Sequence, residues 1–132
     1  MIDGARAVQK GVLEPFPEAD LGILVVWIAM MDTDTLQSAR EAAEKFTDRR
    51  VQQFFDSGRL TGKAIAASLG HDGEVAWDFY LFYPAGSEWR QLPPSPSAYM
   101  HQLPGKWPDP ARLFEKKKLK KKLASTMKSL FT

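Results

Sequence analysis

The sequence predicts a mixed α/β domain with a partly parallel sheet, flanking helices and a basic helix at the C-terminus. Three observations carry this. Residues Leu21 to Met30 form a continuous apolar run rich in β-branched side chains, as expected of a strand covered on both faces. Segments of helical period then alternate with strand-like runs, which favours parallel pairing through crossovers. Near the end, Leu119, Leu123, Met127 and Leu130 recur at steps of four, four and three within a lysine-rich stretch.

The elements follow in order. Residues 3–14 read as the end of a helix, because Ala5, Ala7, Val8, Val12 and Leu13 make a partial stripe and Pro15 and Pro17 stop it. After the first strand, Asp32-Thr33-Asp34-Thr35 offers side-chain oxygens that cap a helix start. Leu36, Ala39, Ala43 and Phe46 continue at helical spacing, predicting a helix over 34–46. Val51 to Asp56 is a short strand and Ser57-Gly58 a turn. The stretch from Leu60 to Leu69 is helical and stops at Gly70. Val75 to Tyr83 is the second strong strand. Pro84 to Ser87 turns the chain, and Glu88-Trp89-Arg90 is expected to start the returning strand of a hairpin. From Leu92 onward, Pro93, Pro94, Pro96, Pro104, Pro108 and Pro110 direct an extended path over the surface.

At 132 residues the chain has room for one domain, and its apolar fraction of 44% suits a packed core. No apolar run approaches the roughly 20 residues that span a bilayer. The first residues lack the basic and apolar regions of a secretory signal, so the expectation is a cytoplasmic protein. The chain contains no cysteine. Disulfides, thiolate metal ligands and thiol nucleophiles are thereby excluded, and two histidines alone imply no structural zinc and no cofactor. Charge is unevenly spread. Residues 109–132 hold eight basic and two acidic side chains, whereas the preceding 108 hold 10 basic and 14 acidic ones. The body is mildly acidic and the tail strongly basic.

One ordered set of segments is similar to a known family. It comprises Gly4-Ala5-Arg6-Ala7-Val8, Val25-Val26-Trp27-Ile28, Thr33-Asp34 and Val51 to Asp56. It continues with Val75-Ala76-Trp77-Asp78, Tyr80-Leu81, a Gly86-x-x-Trp89 turn, and Pro94 to Met100-His101-Gln102-Leu103. Together these resemble bacterial thioredoxin-like proteins of poorly assigned role. The resemblance implies a partial thioredoxin-like fold over 1–103, followed over 104–132 by a Pro-containing linker and a Lys-rich amphipathic tail. In that layout a strand and a Cys-x-x-Cys segment come just before the first helix. The strand lies centrally, between those at 21–30 and 75–83. This chain starts inside the first helix, so a truncated or misassigned start is expected. The layout also places a cis-proline before the strand at 75–83, where this chain reads Gly73-Glu74-Val75-Ala76. The resemblance therefore implies a non-catalytic relative of thiol–disulfide oxidoreductases, with redox chemistry only if an upstream Cys-x-x-Cys segment exists.

Individual polar groups have structural readings beside functional ones. His71 sits in a polar loop, and His101 has no carboxylate or nucleophile placed beside it by sequence. Asp32, Asp34 and Asp56 stand at strand C-termini, where a hard cation could bind, but helix capping explains Asp32 and Asp34 more simply. Asp78 interrupts an apolar strand, facing solvent or pairing with a base such as Arg6. Trp27, Trp77, Tyr80, Phe82 and Trp89 fit a core better than a stacking surface. Neither a Gly-rich phosphate loop nor a Gly-x-Ser-x-Gly elbow is present. The candidate binding residues are Lys116, Lys117, Lys118, Lys120, Lys121 and Lys122. A helix carrying them suits an anionic membrane, nucleic-acid phosphates or a partner groove, or it is a solvated helix covering the domain or a disordered end. Exposed sheet edges would also permit oligomers.

Overall fold

The structure, a computed structural model, describes residues 2–131. Helix α1 (Ile2–Val8) runs directly into a π-helical turn (Gln9–Leu13), closed by the Glu14 N–H donating to the Gln9 carbonyl at 3.0 Å. Strand β1 (Ile23–Ile28) follows, then α2 (Leu36–Ala43), β2 (Val51–Asp56), α3 (Leu60–Ser68), β3 (Phe79–Phe82) and β4 (Ala98–His101). A 3₁₀ turn at Pro110–Arg112 leads to α4 (Lys117–Phe131). The α/β content, the C-terminal helix and the bounds of β2 agree with the sequence reading.

The strands form two separate pairs. β1 and β2 are parallel, in register from Ile23–Val51 to Ile28–Asp56, and α2 supplies the crossover. β3 and β4 are antiparallel, from Phe79–His101 to Phe82–Ala98. The expected hairpin is thus corrected: Glu88-Trp89-Arg90 forms no strand, and β3 instead pairs with a segment inside the Pro-rich stretch. That stretch is correspondingly less superficial than its prolines suggest, since Met100, His101 and Leu103 are all buried. Trp89 is 49% exposed and does not join the core. The predicted strand is shorter than expected: residues 75–78 lie outside β3, and the chain bends at Asp78.

Local chemistry explains the helix starts. Thr35 caps α2: its Oγ1 accepts from the Ser38 N–H at 3.1 Å, while Ser38 Oγ accepts from the Thr35 N–H at 2.8 Å. Asp34 faces backward and accepts from the Met30 and Met31 N–H groups. Asp56 caps α3 by accepting from the Leu60 and Thr61 N–H groups. Beside it Arg59, at φ 59°, donates to the Ala29 and Met30 carbonyls and ties the end of β1 to the start of α3.

Two apolar clusters share α1. Ala5 and Leu13 pack with Trp27, Ala39 and Phe46 between α2 and the β1–β2 pair. Ala7 and Val12 pack with Met100 and with Leu119, Leu123 and Met127 of α4, flanked by Tyr80 and Phe82. Gly11 permits the close approach of α4, because a Cβ there would lie 2.8 Å from the Lys120 carbonyl oxygen.

Arg50 closes the loop after the π turn. Its guanidinium donates to the carbonyls of Leu13, Phe16 and Ala19 and to both oxygens of Asp48. These are charge-assisted bonds, and the Leu13 carbonyl is one the helix end leaves unpaired. Asp48 is held down to about 2, first by the side-chain hydrogen bonds from Arg50 and then by its backbone N–H.

Candidate functional site: the lysine face of the C-terminal helix

The apolar stripe of α4 points inward. Leu119, Leu123 and Met127 are fully buried, Thr126 is buried beside them, and the Thr126 hydroxyl donates to the Lys122 carbonyl at 2.8 Å. Helical geometry, about 100° per residue, then places Lys117, Lys118 and Lys121 on the side opposite that stripe. Lys120 and Lys122 flank it: the Lys120 side chain runs beside Gly11, and Lys122 Nζ lies 5.4 Å from the centroid of the Phe114 ring. Lys116 precedes the helix at φ 53°. All six lysines are exposed, and among the described residues none forms an ion pair. Asp109 is the nearest acidic side chain upstream of Glu115, and it is engaged by Arg112 at 3.7 Å.

Such crowding of ammonium groups weakens an isolated helix through like-charge repulsion. Here the buried stripe holds the helix, so the fold carries a fixed positive face. Leu130 and Phe131 remain exposed at its far end.

The other sequence-selected groups are occupied by the fold. His101 is fully buried. Its Nδ1 accepts from the Leu103 N–H at 3.1 Å, which fixes Nε2 as the protonated nitrogen donating to the Asp109 carbonyl at 2.7 Å. His71 packs its ring 4.9 Å from Trp107, which stacks on Phe79 at 5.3 Å. Phe79 also stacks on Tyr99 and His101, and the Arg112 guanidinium covers Tyr99 at 4.0 Å. This ladder of rings was not legible in the sequence, because Trp107 and Arg112 lie far from Phe79 along the chain. Asp56 caps the start of α3, whereas Asp34 and Asp32 do not cap α2 as expected: Asp34 accepts from the loop amides of Met30 and Met31, Thr35 takes the cap, and Asp32 is exposed. Among the described residues no cluster of three His, Asp or Glu converges as a metal site.

Asp78 departs from its expected pairing. Its side chain has no hydrogen-bond or ion-pair partner among the described residues, Arg6 included, although its carbonyl accepts from the Gln102 N–H at 3.1 Å. Burial, the largest influence, and the nearby Asp34 carboxylate push its carboxyl above the usual range. Its φ of 55° is one that Asp and Asn tolerate.

Comparisons with protein-family models, with curated proteins and with solved structures gave no match to this chain.

Proposed function

We propose that the chain is a non-catalytic, thioredoxin-like unit that works by binding, and that the lysine face of α4 holds the phosphate backbone of nucleic acid. The observation that carries this reading is the set of six exposed, ion-pair-free lysines, Lys116 just before α4 and five on that helix, which is anchored through Leu119, Leu123 and Met127. A membrane-surface role is less well supported. An amphipathic helix binds lipid by burying its apolar face in the headgroup boundary, and here that face is spent on the core. Lysine presents a compact ammonium rather than a bidentate fork, so contact is with phosphates and not base edges. The non-catalytic part rests on the resemblance together with the lack of cysteine, and on His101, Asp34 and Asp56 being committed to structural bonds.

The test is fluorescence anisotropy with a labelled DNA duplex at low salt. The wild-type chain binds irrespective of duplex sequence, and a variant with Lys117, Lys118 and Lys121 changed to Gln loses most of that affinity while melting like the wild type. Equal binding by both proteins refutes the site. Acceleration of insulin reduction by dithiothreitol refutes the non-catalytic reading.

A further inference from the structure

The connection between β3 and β4 is longer than the pair requires. It covers residues 83–97, whereas about two to five residues suffice to turn an antiparallel pair. Long connections without secondary structure of their own commonly carry a function. The later part reads Arg90-Gln91-Leu92-Pro93-Pro94-Ser95-Pro96. Its three pyrrolidine rings hold φ at about −65°. Leu92, Pro93 and Ser95 each precede a proline, which steers them away from the helical region. The structure shows neither turn nor ladder over residues 93–96. The segment therefore favours a short polyproline II rod, with a bend at 90–92 just ahead of it.

Backbone bonds hold this connection only at its margins. The Ser87 N–H donates to the Pro84 carbonyl at 3.2 Å, and the Ser97 N–H donates to the Phe82 carbonyl at 2.7 Å. Between these anchors, over 88–96, no backbone group makes a hydrogen bond among the described residues. The Arg90 side chain is 84% exposed, and its ion pair with Glu88 at 3.2 Å is open to solvent, where such pairs contribute little. Leu92 is 47% exposed, beside an exposed Trp89. Gln91 and Ser95 are exposed, Pro94 and Pro96 are half-buried, and Pro93 is buried.

We propose that residues 90–96 are a docking strip for an SH3-type domain, a partner whose groove is lined by aromatic rings and ends in an acidic pocket. A rod with three residues per turn sets Arg90, Pro93 and Pro96 along one edge and Leu92 and Ser95 along the next. Two such edges fit between aromatic rings, and the unbonded carbonyls of 88–96 accept from donors that line the groove. Arg90, one turn ahead of Pro93, offers a bidentate fork to a carboxylate. That charge selects a groove with an acidic end over one that reads proline alone, and it fixes the direction of the strip. Docking lifts Pro93 from its packed position and straightens the bend at 90–92. Neither change breaks a backbone hydrogen bond, and the stiff rod limits the entropy lost. The strip shares no residue with the lysine face of α4 and stands independently of it.

Isothermal titration of the full chain with an isolated SH3 domain that selects arginine-first proline ligands tests this. The wild type binds. Arg90→Glu, at an exposed position that leaves the fold intact, weakens binding by about tenfold or more. Pro96→Ala weakens it by a comparable factor, while Gln91→Ala, on the third edge of the rod, changes it by less than about threefold. If Pro96→Ala disturbs β4, Leu92→Ala makes the same test from an exposed position. The proposal is overturned if the wild-type chain gives no binding, or if Arg90→Glu binds as the wild type does. It is overturned too if binding is lost on changing Lys117, Lys118 and Lys121 to Gln, since the contact is then between α4 and an acidic surface. Equal binding to a WW domain overturns the choice of partner, because proline alone is then being read.

Discussion

Replacing Leu123 by Ala tests whether α4 is part of the core or an appended tail. Leu123 is 1% exposed and lies one turn from both Leu119 and Met127, against Ala7, Val12 and Met100. Truncating a leucine at an enclosed site costs about 2–5 kcal/mol, the sum of lost transfer energy and a residual cavity. The site is walled by α1, the π turn, β4 and its own helix, so little collapse is available and about 3 kcal/mol is expected. In a chain of this size that is roughly a 10 °C fall in Tm. Urea unfolding followed by tryptophan fluorescence measures it. Trp27 sits in the other cluster, so a single transition also reports that the two clusters unfold together. Lys121→Ala, on the exposed side of the same helix, serves as the control and changes stability by less than about 0.5 kcal/mol. A Leu123→Ala protein as stable as that control refutes the docked helix, and with it the fixed lysine face.

Four further outcomes follow from particular contacts. Arg50→Ala strips the Leu13, Phe16 and Ala19 carbonyls of their donor and leaves Asp48 unpaired, so it costs about 2–4 kcal/mol in denaturant unfolding; Arg50→Lys recovers only part. Asp48 has its folded pKa at about 2, below its unfolded value, so its contribution is full above about pH 4 and is lost as pH falls toward 2. Asp48→Asn flattens the stability profile in that window. Gly62→Ala would gain up to about 1 kcal/mol of helix propensity, but the new Cβ meets the Ala76 carbonyl oxygen at 2.6 Å and Val75 Cγ1 at 2.7 Å. Overpacking of about 1–3 kcal/mol wins, and thermal melting shows a net loss. Asp78→Asn keeps a residue suited to φ 55° and removes a buried charge, so it raises Tm at neutral pH. Because the folded pKa of Asp78 is raised, the wild type recovers stability as pH falls through it, and the advantage of the variant shrinks on acidification.

Much of the fold was legible where one segment carries its own signal. β1 announces itself by an apolar run, β2 by a short strand-like run ending at the Ser57-Gly58 turn, and α3 by Gly70, which stands just past its end at φ 88°. The four-four-three spacing of Leu119, Leu123, Met127 and Leu130 found the α4 stripe, although Leu130 proves exposed. What escaped depends on long-range partners. β4 hides among prolines because its identity as a strand comes from pairing with β3, 16 or more residues upstream. Arg50 looks like an ordinary surface arginine until the Leu13, Phe16 and Ala19 carbonyls are brought to it from 31 to 37 residues away. Gly11 carries no visible message until the Lys120 backbone crosses it. The candidate site divides in the same way. Lysine density is a fact of composition, but the freedom of those lysines from ion pairs, and the inward turn of the apolar stripe, exist only in the folded chain.

The salt dependence of duplex binding tests the central claim most directly. Three to five lysines of α4 can reach phosphates at once, so log K should fall against log salt with a slope of about −3 to −4.5. Changing Lys117, Lys118 and Lys121 to Gln should flatten that slope by roughly 2–3. A slope near zero, or an unchanged slope in the triple variant, contradicts the account.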